Sequence, residues 1–303
     1  MSTSKIVVNS IRWLLACAVA QALLIAPAVA ATPVAVAQPY SLENTEVVAT
    51  PGSRSKRAYE IYVSLPADYA SSTQRYPVVY VTDAPYAFPL IRAIAGRVDR
   101  HGVGLEPFIL VGLSYAIGES AVVSRNRDYT PTARAGDRSA SETAYGQSAE
   151  YLSFIQDDVL PLVDRRYRTD TQRRVFVGHS YGSLLGLQAL LNERKVFSHY
   201  ILGSPSLWFD NGQAFTALKR YSETHSDLVG KVRIYTGGLE QPTRNRRTRK
   251  DMVGLMNRYM ADLRAHRWRG LDVKAAVLDG EDHATVFPRL VTQGLMWALP
   301  RER

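Results

Sequence analysis

A serine flanked by glycines follows a short apolar run near the middle of the chain. The run Val175-Phe176-Val177 leads into Gly178-His179-Ser180-Tyr181-Gly182, and a helix-like stretch comes next. A strand, a Gly-x-Ser-x-Gly turn and a helix, in that order, predict a strained turn that exposes the serine hydroxyl at the end of the strand. The glycines are required because side chains on either side of the serine would collide where strand and helix come close. Ser180 is therefore the predicted nucleophile.

A serine hydroxyl is a poor nucleophile at neutral pH, so the sequence should also supply a base. His283 follows the last strand-like run and precedes the last helical stretch, which is where α/β-hydrolases carry their base. His179 lies within the turn, and we expect its side chain to point away from that of Ser180. The other histidines are expected at the surface, in or beside helices and loops: His101, His199, His225 and His266. His283 is the predicted base.

The third member of such a site is a carboxylate that orients the imidazole and stabilises its positive charge. In this fold it follows the preceding strand, which gives the chain order serine, acid, histidine. The run Val232–Thr236 ends in Gly237-Gly238-Leu239-Glu240, so Glu240 is the first candidate. Glu281 and Asp282 are the alternatives, although adjacent residues seldom reach back to the same ring.

Short β-branched runs alternate with longer amphipathic stretches along the rest of the chain. The strand-like runs are Ala58–Leu65, Tyr76–Val81, Phe108–Tyr115, Arg174–Gly178, Tyr200–Leu202, Val232–Thr236 and Val273–Leu278. The clearest helical stretches are residues 144–165, 181–193, 248–266 and 284–297. This alternation predicts an α/β-hydrolase fold, a mostly parallel sheet with helices on both faces. We expect the first two runs to form an antiparallel edge, and one domain to cover residues 45–303 after a linker at 31–44.

Residues 1–30 are typical of a signal peptide. Lys5 and Arg12 precede an apolar run, Trp13–Ile25, and Ala28-Val29-Ala30 supplies the small residues that a signal peptidase requires. An uncleaved membrane anchor is the alternative, although the run is shorter than the ~20 residues that a span needs. We expect a periplasmic or secreted protein without stable membrane insertion. Its predicted mature N-terminus is Ala31 or Gln38.

The composition excludes several classes of protein. With 46% hydrophobic and 21% charged residues among 303, the chain is not generally disordered. A single cysteine excludes a disulfide scaffold and a cysteine-based zinc site. The formal net charge of +9 suits an anionic small molecule. Nucleic acid is not an expected partner, because the basic residues lack interleaved aromatic residues.

Two basic segments are predicted to lie near the site. Residues 116–143 are rich in Gly, Ser, Thr, Arg and Asp and follow a strand, which indicates a functional loop. Arg125 and Arg127 in this loop are expected in the substrate pocket, together with Trp208, which follows a strand end. A second basic run follows Glu240 and consists of Arg244, Arg246, Arg247, Arg249 and Lys250. It is either an ordinary solvated face or an attractor for an anionic substrate.

Four further stretches resemble an esterase family of α/β-hydrolases that contains enterochelin esterases, antigen-85-type enzymes and S-formylglutathione-hydrolase-like enzymes. The resemblance extends from about residue 45 to 298, and the four stretches occur in the family's order: Tyr76–Asp83, Arg127–Pro131, Ser204–Trp208 and His283–Pro288. The resemblance implies a serine hydrolase that uses Ser180, Glu240 and His283 and needs no metal or organic cofactor. Among periplasmic members of the family, ester hydrolysis of a siderophore, such as a ferric catecholate trilactone, is the role that fits best.

The segment after the early strand departs from the family pattern of Asp-Gly followed by an oxyanion-binding residue. This chain has Asp83-Ala84-Pro85-Tyr86 instead, and Pro85 has no N–H to donate. The predicted oxyanion donors are therefore the backbone N–H groups of Tyr181 and Tyr86. Alternatives to a siderophore esterase stay open: a short-acyl or feruloyl-type esterase, an acyltransferase, or a non-catalytic binder of an anionic ligand.

Overall fold

The alternating runs form one eight-stranded sheet in the computed structural model, which describes residues 37, 39–52, 56–101, 104–133, 145–242 and 250–301. Residues Leu42–Arg303 form one compact unit. Its strands are β1 (Thr45–Pro51), β2 (Ala58–Ser64), β3 (Tyr76–Val81), β4 (Ile109–Ala116), β5 (Thr169–His179), β6 (His199–Gly203), β7 (Asp227–Gly237) and β8 (Arg269–Leu278). Its α-helices are α1 (Ala84–His101), α2 (Ala121–Tyr129), α3 (Ser148–Phe154), α4 (Leu160–Arg166), α5 (Tyr181–Leu190), α6 (Gln213–Thr224), α7 (Met252–Ala265) and α8 (Val286–Ala298).

The strand order is β1-β2-β4-β3-β5-β6-β7-β8. All neighbours from β4 to β8 are parallel, whereas β1 pairs antiparallel with β2 and β2 pairs antiparallel with β4. The sequence patterns predicted an antiparallel edge formed by β2 and β3. The edge exists, but the predicted pairing of β2 with β3 was wrong. β3 lies inside the parallel part between β4 and β5, and the second edge strand is β1, which the sequence patterns did not reveal.

Helices cover both faces of the sheet. Consecutive residues of β3 contribute to opposite faces, with Val78 and Tyr80 in one apolar cluster and Val79 and Val81 in the other. The second cluster also contains apolar side chains of α1 and α8, while α3, α5, α6 and α7 supply the first. Burial on both faces explains why the central strands are continuous apolar runs without alternation.

The segment predicted as a long functional loop contains a helix. Residues Ala121–Tyr129 form α2, with Ser120 as N-cap: its hydroxyl accepts a hydrogen bond from the Val123 N–H at 3.3 Å. The prediction of irregular structure was wrong for this part, and residues 134–144 lie outside the described residues. The predicted signal peptide at 1–30 and half of the predicted linker, residues 31–36 and 38, also lie outside them. No helix in the described part of the chain is long and apolar enough to cross a membrane.

Backbone strain is concentrated at the carboxyl ends of three neighbouring strands. Asp83 after β3, Ser180 after β5 and Ser204 after β6 have φ angles of +59°, +58° and +40°. Residues other than glycine rarely adopt this left-handed conformation, and it persists only where the surrounding structure enforces it. Ligands of open α/β sheets bind at this same edge, so the strained residues mark the place to examine for a site.

Candidate active site

Ser180 lies on a sharp turn between β5 and α5. Its φ of +58° and ψ of −114° belong to neither a strand nor a helix. A Cβ at Gly178 would lie 2.4 Å from the carbonyl oxygen of Gly182, and one at Gly182 would lie 2.2 Å from Oγ1 of Thr82. Both glycines are therefore sterically required, as expected for a nucleophile elbow.

The loop after β6 packs directly against this turn. The Ser180 N–H donates to the carbonyl oxygen of Gly203 at 2.8 Å, and the Ser206 N–H donates to the carbonyl oxygen of Ser180 at 3.3 Å. The hydroxyl oxygens of Ser180 and Ser206 are 3.2 Å apart. The candidate nucleophile thus has a second, buried hydroxyl beside it, which the sequence patterns did not single out.

Glu240 and His283 come together from the loops after β7 and β8. Nδ1 of His283 lies 2.6 Å from Oε2 of Glu240, and the His283 side chain is 48% exposed while that of Glu240 is 5% exposed. Burial alone would raise the pKa of Glu240, but hydrogen bonds from His283 and Ser204 outweigh it and hold that pKa below its ordinary value. An ionised carboxylate on Nδ1 leaves Nε2 of His283 to accept a proton.

The two alternative acids have other partners. The carboxylate of Glu281 lies 3.4 Å from Nη1 of Arg289. That of Asp282 accepts hydrogen bonds from the N–H groups of Ala284 and Thr285 at 2.8 and 3.0 Å. Among the three carboxylates considered, Glu240 is the one that the fold brings to the imidazole of His283.

The side chain of His179, in the serine turn, packs against the imidazole of His283. Its ring lies 4.6 Å from that of His283 and 5.7 Å from that of Phe287, measured between centroids. Burial, with a smaller contribution from the charges of His283 and Arg125, lowers the pKa of His179 to about 3. His179 is therefore a neutral packing partner at neutral pH, next in sequence to Ser180.

The predicted oxyanion donors differ in their surroundings. Tyr181 is the first residue of α5, and backbone N–H groups in the first turn of a helix bind anions in many proteins. The Tyr86 N–H instead donates to the carbonyl oxygen of Asp83 at 3.2 Å inside the first turn of α1. The prediction for Tyr86 conflicts with this bond, because an N–H engaged in the helix is not free to bind a substrate oxygen.

Arg125 and Arg127 lie on α2 but face different surroundings. Arg127 is 3% exposed and forms an ion pair with Asp128 at 2.8 Å and another with Glu119, so its placement in a substrate pocket was wrong. Nε of Arg125 donates to Oδ1 of Asp83 at 2.8 Å, and its Nη2 donates to the carbonyl oxygen of His179 at 3.2 Å. Burial would lower the pKa of Arg125, but Asp83 raises it, and the guanidinium stays charged beside the serine turn.

Trp208 presents an aromatic surface near the serine turn. Its ring centroid is 6.0 Å from that of Tyr181, and Nζ of Lys250 lies 3.4 Å from the Trp208 ring. The rest of the predicted basic run, residues 244–249, lies outside the described residues. Within the described ranges, no three His, Cys, Asp or Glu side chains come together as potential metal ligands.

The strand order and the serine turn define an α/β-hydrolase, and sequence comparison then identifies the family. Residues 52–275 match the profile of the family described as "Putative esterase", and the chain belongs to that family. It is 29% identical to the ferri-bacillibactin esterase BesA of Bacillus subtilis over 277 residues, covering 86% of this chain and 91% of the relative. It is 27% identical to the siderophore enterobactin esterase of Emericella nidulans, covering 79% and 88% of the two chains.

Solved structures agree with the fold. The siderophore hydrolase EstB of Aspergillus nidulans superimposes with a TM-score of 0.73 at 25% identity, covering 88% of this chain and 100% of its own. The chain is therefore an ester-hydrolysing enzyme of the α/β-hydrolase fold, as the resemblance implied.

Proposed function

We propose that this chain is an exported serine esterase that hydrolyses ester bonds of a siderophore. The catalytic part of the proposal is carried by the 2.6 Å contact between Nδ1 of His283 and the buried carboxylate of Glu240. The His283 ring also packs at 4.6 Å against that of His179, the residue before Ser180. The substrate part is supported by relatives that are named as esterases of bacillibactin, enterobactin and triacetylfusarinine C. Export is supported by the sequence of residues 1–30.

Acylation begins when Oγ of Ser180 attacks the ester carbonyl and Nε2 of His283 takes the hydroxyl proton. The anionic Glu240 stabilises the imidazolium that forms. Collapse of the tetrahedral intermediate breaks the ester bond, and the imidazolium gives its proton to the departing alcohol. Water, deprotonated by the same imidazole, then attacks the acyl-enzyme. The bond between the acyl group and Oγ of Ser180 breaks, the imidazolium returns its proton to Oγ, and the carboxylic acid is released.

The oxyanion needs two donors that are already in place when the negative charge develops. We propose the backbone N–H of Tyr181 as the first and the guanidinium of Arg125 as the second. Asp83 and the carbonyl oxygen of His179 hold this guanidinium next to the turn, and the Arg125 side chain is still 23% exposed. One such donor contributes about 3 kcal/mol to transition-state stabilisation.

Trp208 and Lys250 are proposed to bind the acyl portion of the substrate. A large aromatic surface with a cation beside it suits an aromatic, anionic group such as a catecholate. The same surface suits a feruloyl-type acyl group, which keeps that alternative as the second candidate.

The test is a product analysis with three substrates and two proteins. Wild type and Ser180→Ala are incubated with a ferric catecholate trilactone, its iron-free form and a neutral aryl ester, and products are identified by mass spectrometry. We expect wild type alone to convert a trilactone into linear acids. Cleavage of the aryl ester without either trilactone would contradict the siderophore proposal and favour the short-acyl or feruloyl-type esterase. Binding of a trilactone without any cleavage would favour the non-catalytic binder.

A further inference from the structure

Ser204 contacts the acid of the site but has no part in the steps above. It follows β6 directly, is completely buried, and has a φ of +40°. Its Oγ donates to Oε1 of Glu240 at 2.5 Å. The two residues are 36 positions apart in sequence, so this contact exists only in the folded protein.

The carboxylate of Glu240 is fully ordered by three partners. Oε1 accepts from Oγ of Ser204 and, at 2.9 Å, from the N–H of Gly237, while Oε2 faces Nδ1 of His283 at 2.6 Å. If the Gly237 N–H were the only donor to Oε1, the carboxylate could rotate about the terminal side-chain torsion and exchange its two oxygens, because such terminal torsions are broad. The Ser204 hydroxyl adds the second donor that holds Oε1 in place.

The backbone of Ser204 is equally constrained. Its N–H donates to the carbonyl oxygen of Tyr235 at 2.7 Å, and the residue before it, Gly203, accepts the N–H of Ser180 at 2.8 Å. The same short segment is therefore bonded to β7, to the serine turn and to the acid. Glycine adopts a positive φ more readily than serine, so the hydroxyl is the feature that a glycine at this position would lack.

We infer that Ser204 is a positioning residue that acts through Glu240. Its hydroxyl fixes the carboxylate so that Oε2 meets Nδ1 of His283, and the hydroxyl itself touches no reacting atom. The inference rests on the proposed function, because the role exists only if His283 is the base.

The test uses Ser204→Gly, Glu240→Gln and the double variant, with kcat and KM measured for a neutral aryl ester. Glycine tolerates the φ of +40°, so Ser204→Gly removes the hydroxyl without adding backbone strain. We expect kcat to fall roughly 10- to 100-fold, as for the loss of one hydrogen bond to a charged group, with KM changed less than about twofold. The double variant should be no worse than Glu240→Gln, because residues that act as a unit are not additive.

Asn44→Gly is the matched control. Asn44 also has a positive φ, +55°, but it is exposed and lies immediately before β1, so kcat should not change. Ser204→Ala separates the effect of the hydroxyl from backbone strain: it should lose as much kcat as Ser204→Gly and be less stable to heat.

Three results would overturn the inference. Ser204→Gly could keep the kcat of wild type, or the kcat losses of the two single variants could multiply in the double variant. In the third case, Glu240→Gln keeps the kcat of wild type although Ser204→Gly loses it. A failure of the proposed function can be distinguished from a failure of this inference, because in the former case Ser180→Ala would still hydrolyse the ester.

Discussion

At the scale of residues, the groups around the candidate base each hold one charge state near neutral pH. Hydrogen bonds lower the pKa of Glu240, so its carboxylate is anionic. Burial lowers the pKa of His179 to about 3, so its ring is neutral. Asp83 raises the pKa of Arg125, so its guanidinium is cationic. These fixed charges surround His283, the residue proposed as the base.

Arg125→Met tests the proposed second oxyanion donor. It removes the charge and the hydrogen bonds but keeps an apolar chain in place, and we expect kcat to fall about 100- to 1,000-fold, as when one oxyanion donor is lost. The loss should be equal for a neutral aryl ester and an anionic substrate. Steady-state kinetics at low and high salt provide the measurement.

The control for Arg125→Met is Arg174→Gln. Arg174 is also partly buried, paired with Asp164 at 2.6 Å, but it lies in the middle of β5, six residues before Ser180. This variant should lose stability while keeping kcat. If Arg125→Met instead raises KM for the anionic substrate alone, and only at low salt, then Arg125 attracts the substrate and does not stabilise the oxyanion.

At the scale of elements, the site is built from the residues that follow five parallel strands. Asp83, Ser180, Ser204, Glu240 and His283 come after β3, β5, β6, β7 and β8. The positions of these loops are fixed by the buried sheet, and the close approach of α5 to β5 sets the angle of the serine turn. Packing around that turn should therefore control both stability and activity.

Gly178→Ala tests this packing. The new Cβ would lie 2.4 Å from a backbone oxygen that has no free rotation, so the turn must shift. We expect a loss of about 1–3 kcal/mol in the free energy of unfolding, together with a large loss of kcat. Chemical denaturation and kinetics on the same preparation check both.

Gly96→Ala is the control, and we expect it to be more stable than wild type. Gly96 lies inside α1, and the nearest atoms to a new Cβ are flexible arginine side-chain ends at 3.6 Å. Because alanine favours the helix, this variant should gain about 0.5–1 kcal/mol and keep full activity. A Gly178→Ala protein as stable and active as Gly96→Ala would contradict the account of the turn.

The elements that sequence patterns revealed are those with strong periodic or local signals. β2 to β8 each contain a short run rich in apolar residues, and the glycines of the turn at Ser180 are visible in the sequence itself. β1 is only half buried, so its pattern is weak, and α2 sits among Gly, Ser and Arg residues that are typical of loops. The contacts of Ser204 with Glu240 and of Arg125 with Asp83 join residues 36 and 42 positions apart, which no local pattern reports.

At the scale of the whole molecule, Leu42–Arg303 form the folded esterase unit, and the sequence of residues 1–30 predicts export. Removal of residues 1–30, which contain Lys5 and Arg12 and no acidic residue, would lower the formal net charge from +9 to +7, and this charge still favours encounter with anionic substrates. These two properties suit an enzyme that meets an anionic ester outside the cytoplasm.

Export predicts a defined mature protein. The intact mass of protein recovered from the periplasm or medium should correspond to a chain that begins at Ala31 or Gln38. If the cut follows Ala30, replacing Ala28 and Ala30 with bulky residues should leave that cut unmade. A recovered protein that keeps Met1 would contradict the prediction.

Covalent labelling can establish whether Ser180 is the nucleophile. A phosphonate ester that mimics the tetrahedral intermediate should add one phosphonyl group per wild-type chain, and tandem mass spectrometry should assign it to Ser180 as activity is lost. Ser180→Ala should take up no label and lose ester hydrolysis almost entirely while its melting temperature stays near that of wild type. Substantial turnover by Ser180→Ala, or a label on another residue in wild type, would contradict the account.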